Sequence, residues 1–144
     1  AGGIVPLTTL PANVSEEVFD RARTAAQSVL EAFDYVGVLT IEFFVMPDGS
    51  LLANEMAPRV HNSGHWTIEG ALTSQFEQHI RAIAGWPLGP TTRIANIEML
   101  NMIGEDANAW ADLSADPNVR LHLYGKRDAR AGRKMGHVTK LRLG

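Results

Sequence analysis

The chain of 144 residues contains no cysteine. Disulfides, thiolate metal sites and cysteine nucleophiles are therefore excluded, and the composition is compatible with a reducing cytosol. It has no run of about 18 apolar residues, so no membrane-spanning helix is expected. Ala1-Gly2-Gly3-Ile4 lacks the basic segment and apolar run of a signal peptide. It also lacks an initiator methionine, and the expectation is a chain that begins inside a longer protein. There is no low-complexity segment and no internal repeat. Basic residues are scarce through position 119, where 5 Lys or Arg face 15 Asp or Glu. Residues 120–144 reverse the balance, with 8 against 1. Such asymmetry directs the tail toward something anionic, either nucleic acid or a phosphorylated small molecule, with a solvated basic surface as the plain alternative.

Hydrophobic residues make up 45% of the chain and charged residues 20%, enough for a packed core in one domain, with or without a small appendage. Residues 1–12, with Pro6 and Pro11, read as a connector. Asn13 or Ser15 caps a helix over 15–33, whose apolar positions Val18, Ala22, Ala25, Val29, Ala32 and Phe33 recur at helical spacing. Val36–Met46 and Leu51–Met56 read as strands joined by Pro47-Asp48-Gly49-Ser50, a candidate type I′ turn, and Pro58 ends the second strand. A polar loop over 60–65 precedes a helix expected from about Trp66 to Ala84, with Ile68, Leu72, Phe76, Ile80 and Ile83 buried and Gly85 as its stop. Trp86–Thr92 is a turn-rich link. Strands follow over Arg93–Ile103, Val119–Tyr124 and His137–Leu143, with a short helix over Asp106–Leu113. Trp86 and Trp110 read as packing anchors, Met99, Met102 and Met135 as core fillers, and His79 as exposed. Glu98 reads as outward-facing, and His122 as lying on the face opposite Leu121 and Leu123.

Glu42 and Glu55 carry the most information. With the turn centred on Asp48-Gly49, residues whose numbers sum to 97 pair, and these two stand opposite each other with Cβ atoms about 4.5–5.5 Å apart. Like charges so placed, among Ile41, Phe43, Phe44, Leu51 and Leu52, need neutralising. A hard divalent cation such as Mg2+ does so, a shared proton is the competing chemistry, and a solvent-facing pair is the bland alternative. The following stretch, Asn54 to Thr67, is dense in polar groups. Arg59 offers a guanidinium suited to a carbonate or phosphate, and Asn62, Ser63 and Gly64 offer donors where a helix begins. His61 and His65 have the spacing of some zinc pairs, but a loop containing Asn62-Ser63-Gly64 does not align them, and a structural hydrogen bond is expected for His65.

Asn54-Glu55-Met56-Ala57-Pro58-Arg59 followed by His61-Asn62-Ser63-Gly64-His65-Trp66-Thr67 resembles the signature of the 5-(carboxyamino)imidazole ribonucleotide synthases, also called the ATPase subunit of phosphoribosylaminoimidazole carboxylase. These are ATP-grasp enzymes. Similarity extends through Val36–Val45, Thr73–His79, Leu121–Lys126 and Gly132–His137. The resemblance implies an α+β fold: the C-terminal part of an ATP-grasp domain, an antiparallel sheet with packed helices, over 1–85, then a small β-rich substrate-phosphate subdomain over 86–144. It implies a cytoplasmic, homodimeric ligase of purine biosynthesis that uses ATP and bicarbonate to carboxylate 5-aminoimidazole ribonucleotide through carboxyphosphate. Glu42 and Glu55 would hold two Mg2+ ions, with Asn54 and Glu55 at the nucleotide. Arg59 and His61 would be catalytic, and Arg59, His61, Asn62 and Ser63 would contact substrate. Lys126 and Arg133 would bind the 5′-phosphate.

Two departures qualify the likeness. Val60 stands where the family has proline, leaving the entry to His61 less rigid. Ala57 stands where many other ATP-grasp enzymes carry a metal-ligand asparagine, as the synthases also do not. The sequence shows no glycine-rich phosphate loop, no pair of ATP-binding lysines and no adenine clamp. The expectation is a portion that needs the N-terminal part of the same enzyme and is inactive alone. Competing functions are a basic nucleic-acid-binding module over Arg120–Arg142, disfavoured because Tyr124 is its one aromatic, and a structural or dimerisation domain using Ile94–Leu100. The resemblance implies no nucleic-acid and no membrane partner.

Overall fold

The structure is a computed structural model describing residues 6–142. The first five residues of the expected connector, and Leu143 of the last expected strand, lie outside the described residues. The architecture is α+β, with antiparallel sheets and short helices in two compact units. One unit comprises residues 12–68 and 72–92. The other comprises residues 6–11, 69–71 and 93–142 of those described. No helix among the described residues is long and apolar enough to cross a membrane.

In the first unit, α1 (Glu16–Ala32) starts at Ser15, whose hydroxyl accepts the Val18 N–H at 3.3 Å. Glu16 and Glu17 occupy its first turn, where the helix dipole favours acid. The antiparallel pair β2 (Thr40–Val45) and β3 (Leu51–Ala57) follows. A two-stranded ribbon is marginal by itself. Here Ala25 and Val29 of α1 line a cavity with Ile41, Phe43, Ala53 and Met56, so the helix covers one face of the ribbon. Arg21 ties the helix to the turn by donating to the Gly49 carbonyl at 2.6 Å. Tyr35 donates to the Pro58 carbonyl at 2.8 Å, securing the end of β3.

The single helix expected from Trp66 to Ala84 is two helices, α2 (Thr67–Gly70) and α3 (Gln75–Ile83). Periodicity runs through the break, but local hydrogen bonding does not. The Thr67 hydroxyl accepts the Gln75 N–H at 2.9 Å, and Ser74 caps α3 by accepting from the Glu77 N–H. The Leu72 N–H donates to Thr92, as a strand would. Gly85, with φ +67°, ends α3 as expected: its N–H reaches Ala82 and that of Trp86 reaches Arg81. The apolar stripe expected to be buried is exposed, with Leu72 59% and Ile83 56% accessible, and Trp86 and Trp110 are exposed too. His79 is not a free surface residue, since its Nδ1 accepts the Val38 N–H at 3.0 Å.

The second unit is a four-stranded antiparallel sheet in the order β1 (Leu7–Leu10), β4 (Asn96–Ile103), β6 (Lys134–Arg142), β5 (Val119–Leu123). The segment read as a connector thus supplies an edge strand. The Asp106–Leu113 helix is instead a 3-10 turn, Gly104–Ala109, running into α4 (Trp110–Ser114). Ile97, Met99, Met102, Met135 and Val138 form the buried core of this unit, so the methionines fill it as expected. Glu98 points outward and pairs with Arg142 at 2.7 Å.

Candidate metal centre

The loop between β2 and β3 is not the type I′ turn that its Asp-Gly promised. That turn needs positive φ at both central residues, and only Gly49 has it, at +78°. The Met46 N–H donates to Ser50 across a three-residue loop. Asp48 closes the loop by accepting the Ser50 N–H at 2.9 Å and the Ser50 hydroxyl at 2.7 Å. Near the turn the pairing is therefore one residue out from expectation: Val45 faces Leu51, Phe44 faces Leu52 and Phe43 faces Ala53. A β-bulge at Asn54 then shifts the register, and Glu42 faces Glu55 after all. Asn54 itself donates from its side-chain amide to Glu42 Oε2 at 3.3 Å.

His61 reaches back to both acids. Its Nε2 lies 3.0 Å from Glu55 Oε1, and its Nδ1 lies 3.7 Å from Glu42 Oε1. The Ser63 N–H can only donate, and it points to Nδ1 at 3.3 Å; in the neutral ring, Nε2–H is then the group offered to Glu55. The Ser63 hydroxyl lies 2.9 Å from the same Nδ1. Exposure grades outward, from 12% for the His61 side chain to 25% for Glu42 and 54% for Glu55, so the group opens to solvent on the Glu55 side.

Gln75 holds His61 in place, and sequence reasoning missed it. Its Oε1 accepts the His61 N–H at 2.9 Å, and its Nε2 donates to the His61 carbonyl at 2.8 Å and lies 2.9 Å from His65 Nδ1. The residue is 7% exposed. Gly64 leaves room for it, because a Cβ there would strike the Gln75 amide. In the sequence Gln75 shows only as a polar residue inside the helix expected from Trp66 to Ala84, and no local signal ties it to His61. His65 has the structural hydrogen bond expected of it and stacks on Phe76, with ring centroids 5.5 Å apart. It is not among the three side chains whose ligand atoms gather at His61.

The other expected site residues are placed as follows. Arg59 is exposed just beyond β3 and donates to the Val60 carbonyl at 3.0 Å. Asn62 opens a short 3-10 turn, Asn62–Gly64, and its carbonyl accepts the His65 N–H. Lys126 and Arg133 belong to the other unit. There Lys126 donates to the Lys134 carbonyl at 2.6 Å, and Arg133 donates to the Asp128 carbonyl at 3.2 Å.

Whether the residues present suit a divalent cation can be judged from their donor atoms. Glu42, Glu55 and His61 each offer one ligand atom, all within 4.8 Å of one another. Two carboxylates opposed across a strand pair satisfy the preference of Mg2+ for hard oxygen, and few protein ligands leave positions for water and phosphate. The donor set fits.

A family model for the ATP-grasp domain matches residues 1–76, and one for the phosphoribosylaminoimidazole carboxylase C-terminal domain matches residues 98–142. The chain is 56% identical over 140 residues to the N5-carboxyaminoimidazole ribonucleotide synthase of Brucella melitensis, covering 97% of this chain and 39% of that one. It is 48% identical over 137 residues to the enzyme of that name from Vibrio vulnificus, covering 95% and 35%. Among solved structures, the synthetase from Thermus thermophilus superposes with a TM-score of 0.92 at 51% identity, over 100% of this chain and 39% of that one. The synthase from Aspergillus clavatus, in complex with ADP and 5-aminoimidazole ribonucleotide, gives 0.91 at 39% identity, over 98% and 40%. The chain thus spans about two fifths of the length of these relatives. With the resemblance read from residues 54–67 borne out along the whole chain, it belongs to the ATP-grasp family, and within that family to the N5-carboxyaminoimidazole ribonucleotide synthases.

Proposed function

We propose that this chain supplies the metal-binding and substrate-phosphate portions of an enzyme that carboxylates 5-aminoimidazole ribonucleotide, at the expense of ATP, in purine biosynthesis. The observation that carries the reading is the convergence of Glu42, Glu55 and His61 on one side of the bulged hairpin. In the reaction, a bicarbonate oxygen attacks the γ-phosphorus of ATP, releasing ADP and forming carboxyphosphate. The amine of the ribonucleotide then attacks the carboxyl carbon, phosphate leaves, and the product is a carbamate.

Glu42 and Glu55 hold two Mg2+ ions, and Asn54 and Glu55 border the nucleotide. Bound Mg2+ supplies neutralisation of the phosphate charge that develops in transfer. Arg59, whose exposed guanidinium is held by a single backbone carbonyl in its own loop, is available to grip bicarbonate through two parallel hydrogen bonds. His61 keeps Glu55 oriented through Nε2–H, and Asn62 and Ser63 complete that wall. Lys126 and Arg133 take the 5′-phosphate, consistent with a tail carrying 8 Lys or Arg against 1 acid. We assign the complete enzyme to the cytoplasm, as a homodimer.

The test uses the complete gene product that carries this chain. ADP release should require both bicarbonate and 5-aminoimidazole ribonucleotide, and Glu42→Gln or Glu55→Gln should each lower the rate by about 100-fold or more, as expected when a transition-state charge loses its counter-ion. ADP release indifferent to the ribonucleotide would remove the proposed substrate. The chain of 144 residues by itself should show no such turnover.

A further inference from the structure

In the sheet of the second unit, a run of polar side chains leads from Glu69 to Lys126. Glu69 is fixed at its base: the Gly70 carbonyl accepts the Ile94 N–H, and Ala71 bridges to Arg93. Its Oε1 lies 2.5 Å from His122 Nε2, and its side chain is 15% exposed. A carboxylate can only accept, so His122 carries its proton on Nε2. The other oxygen of Glu69 is buried and has no hydrogen-bond partner among the described residues, an arrangement that costs free energy.

His122 stands opposite His137 across β5 and β6, and their rings stack with centroids 4.5 Å apart and planes 13° apart. Gly136 permits the close approach of the strands, since a Cβ there would strike the His122 carbonyl. His137 is 2% exposed, and its Nδ1 lies 2.8 Å from the Tyr124 hydroxyl. The Tyr124 backbone is still tied to β6, through its N–H to Met135. Gly125, with φ +66°, then turns the chain away. The Lys126 ammonium comes to 5.8 Å from the centre of the Tyr124 ring and folds onto the Lys134 carbonyl. A cation over an aromatic face is held by the ring quadrupole, so the ring and the Lys134 carbonyl together place the ammonium.

We propose that Glu69 is a positioning residue for Lys126, acting through the stacked His122 and His137 and through the Tyr124 hydroxyl. The function is to hold the Tyr124 ring, and with it the Lys126 ammonium, ready for a sugar phosphate. The proposal rests on the reading of Lys126 as a phosphate ligand.

The test is a double-mutant cycle in the complete gene product that carries this chain, with ribose 5-phosphate as probe, titrated by calorimetry. Glu69→Gln should weaken binding about 5-fold to 10-fold, the size expected for one ordinary net hydrogen bond. In a Lys126→Gln background it should have no further effect. Tyr124→Phe, which removes one oxygen and keeps the ring, should behave the same way and stands in should Glu69→Gln fail to fold. Ring 15N shifts of His137 should move in both variants and stay put in Lys126→Gln. Equal weakening in both backgrounds would make Glu69 merely structural and overturn the proposal, as would unchanged binding in Glu69→Gln and Tyr124→Phe while Lys126→Gln binds poorly. Wild-type affinity in Lys126→Gln, or no saturable binding by the unsubstituted chain, would instead remove the phosphate reading, and the proposal with it.

Discussion

Glu42 and Glu55 stand opposite one another because Asn54, between them in the path of the ladder, does not pair. Carried on unbroken from the turn, the register would set Glu42 against Asn54 and send Glu55 to the other face of the ribbon, under α1. The bulge aims both acids at one place, as bulges beside functional sites often do.

Divalent cation binding should depend on both acids. Titration of the chain with Mn2+, followed by the electron paramagnetic resonance of the free ion, should show at least tenfold weaker binding in Glu42→Gln and in Glu55→Gln, about 1.4 kcal/mol each. In chelator the same substitutions should not lower the melting temperature, because each relieves a like-charge contact. Undiminished Mn2+ binding in both variants would dismiss the metal centre.

His61→Ala should destabilise the metal-free chain by about 1–2 kcal/mol, the scale of lost hydrogen bonds to buried or charged partners. The side chain bridges Ser63 and Glu55 and is 12% exposed. Urea unfolding with and without Mg2+ checks this, and the difference from wild type should narrow when the cation is present to neutralise the acids.

Gln75→Leu should cost more, about 2–4 kcal/mol, because it strips partners from the half-buried His61 backbone and from His65. The His61 ring signals should broaden or shift by NMR. A loss of stability without any change at His61 would show that Gln75 braces the loop but not the site.

The Asp48 carboxyl is held below its ordinary value of 3.8, chiefly by the Ser50 hydroxyl and then by the Ser50 N–H, which bond the ionised form. A lowered folded value contributes stability that is present above the unfolded value of 3.8 and is lost as pH falls through the folded one. Asp48→Asn should therefore remove the pH-dependent contribution, lowering hairpin stability above about pH 4 and leaving it little changed in stronger acid. The Ser50 amide shift, followed by NMR across that range, reports it.

Much of the molecule was legible in one dimension. Ser15 capping α1, Gly85 ending α3, and the methionine core of β4 and β6 follow from short-range chemistry, because caps and alternation act over a few residues. The two acids were found by a register rule that was wrong at the turn and was corrected by a bulge the rule did not contain. The break between α2 and α3 was hidden, since the apolar period continues through it while the backbone bonds go elsewhere. Gln75 was hidden as well: the three bonds of its side chain reach groups 10 and 14 residues away.

By itself the sequence determined the α+β class, the family and the residue types of the centre, because a carboxylate, an imidazole and a guanidinium keep their chemistry wherever the chain puts them. Only the tertiary structure decided which of them meet. An unpaired Asn54 turned one strand by a single residue, Gln75 fixed the His61 backbone from a neighbouring helix, and His122 met Glu69 across 53 residues of chain. Each depends on contacts between segments distant in sequence, where no local propensity acts.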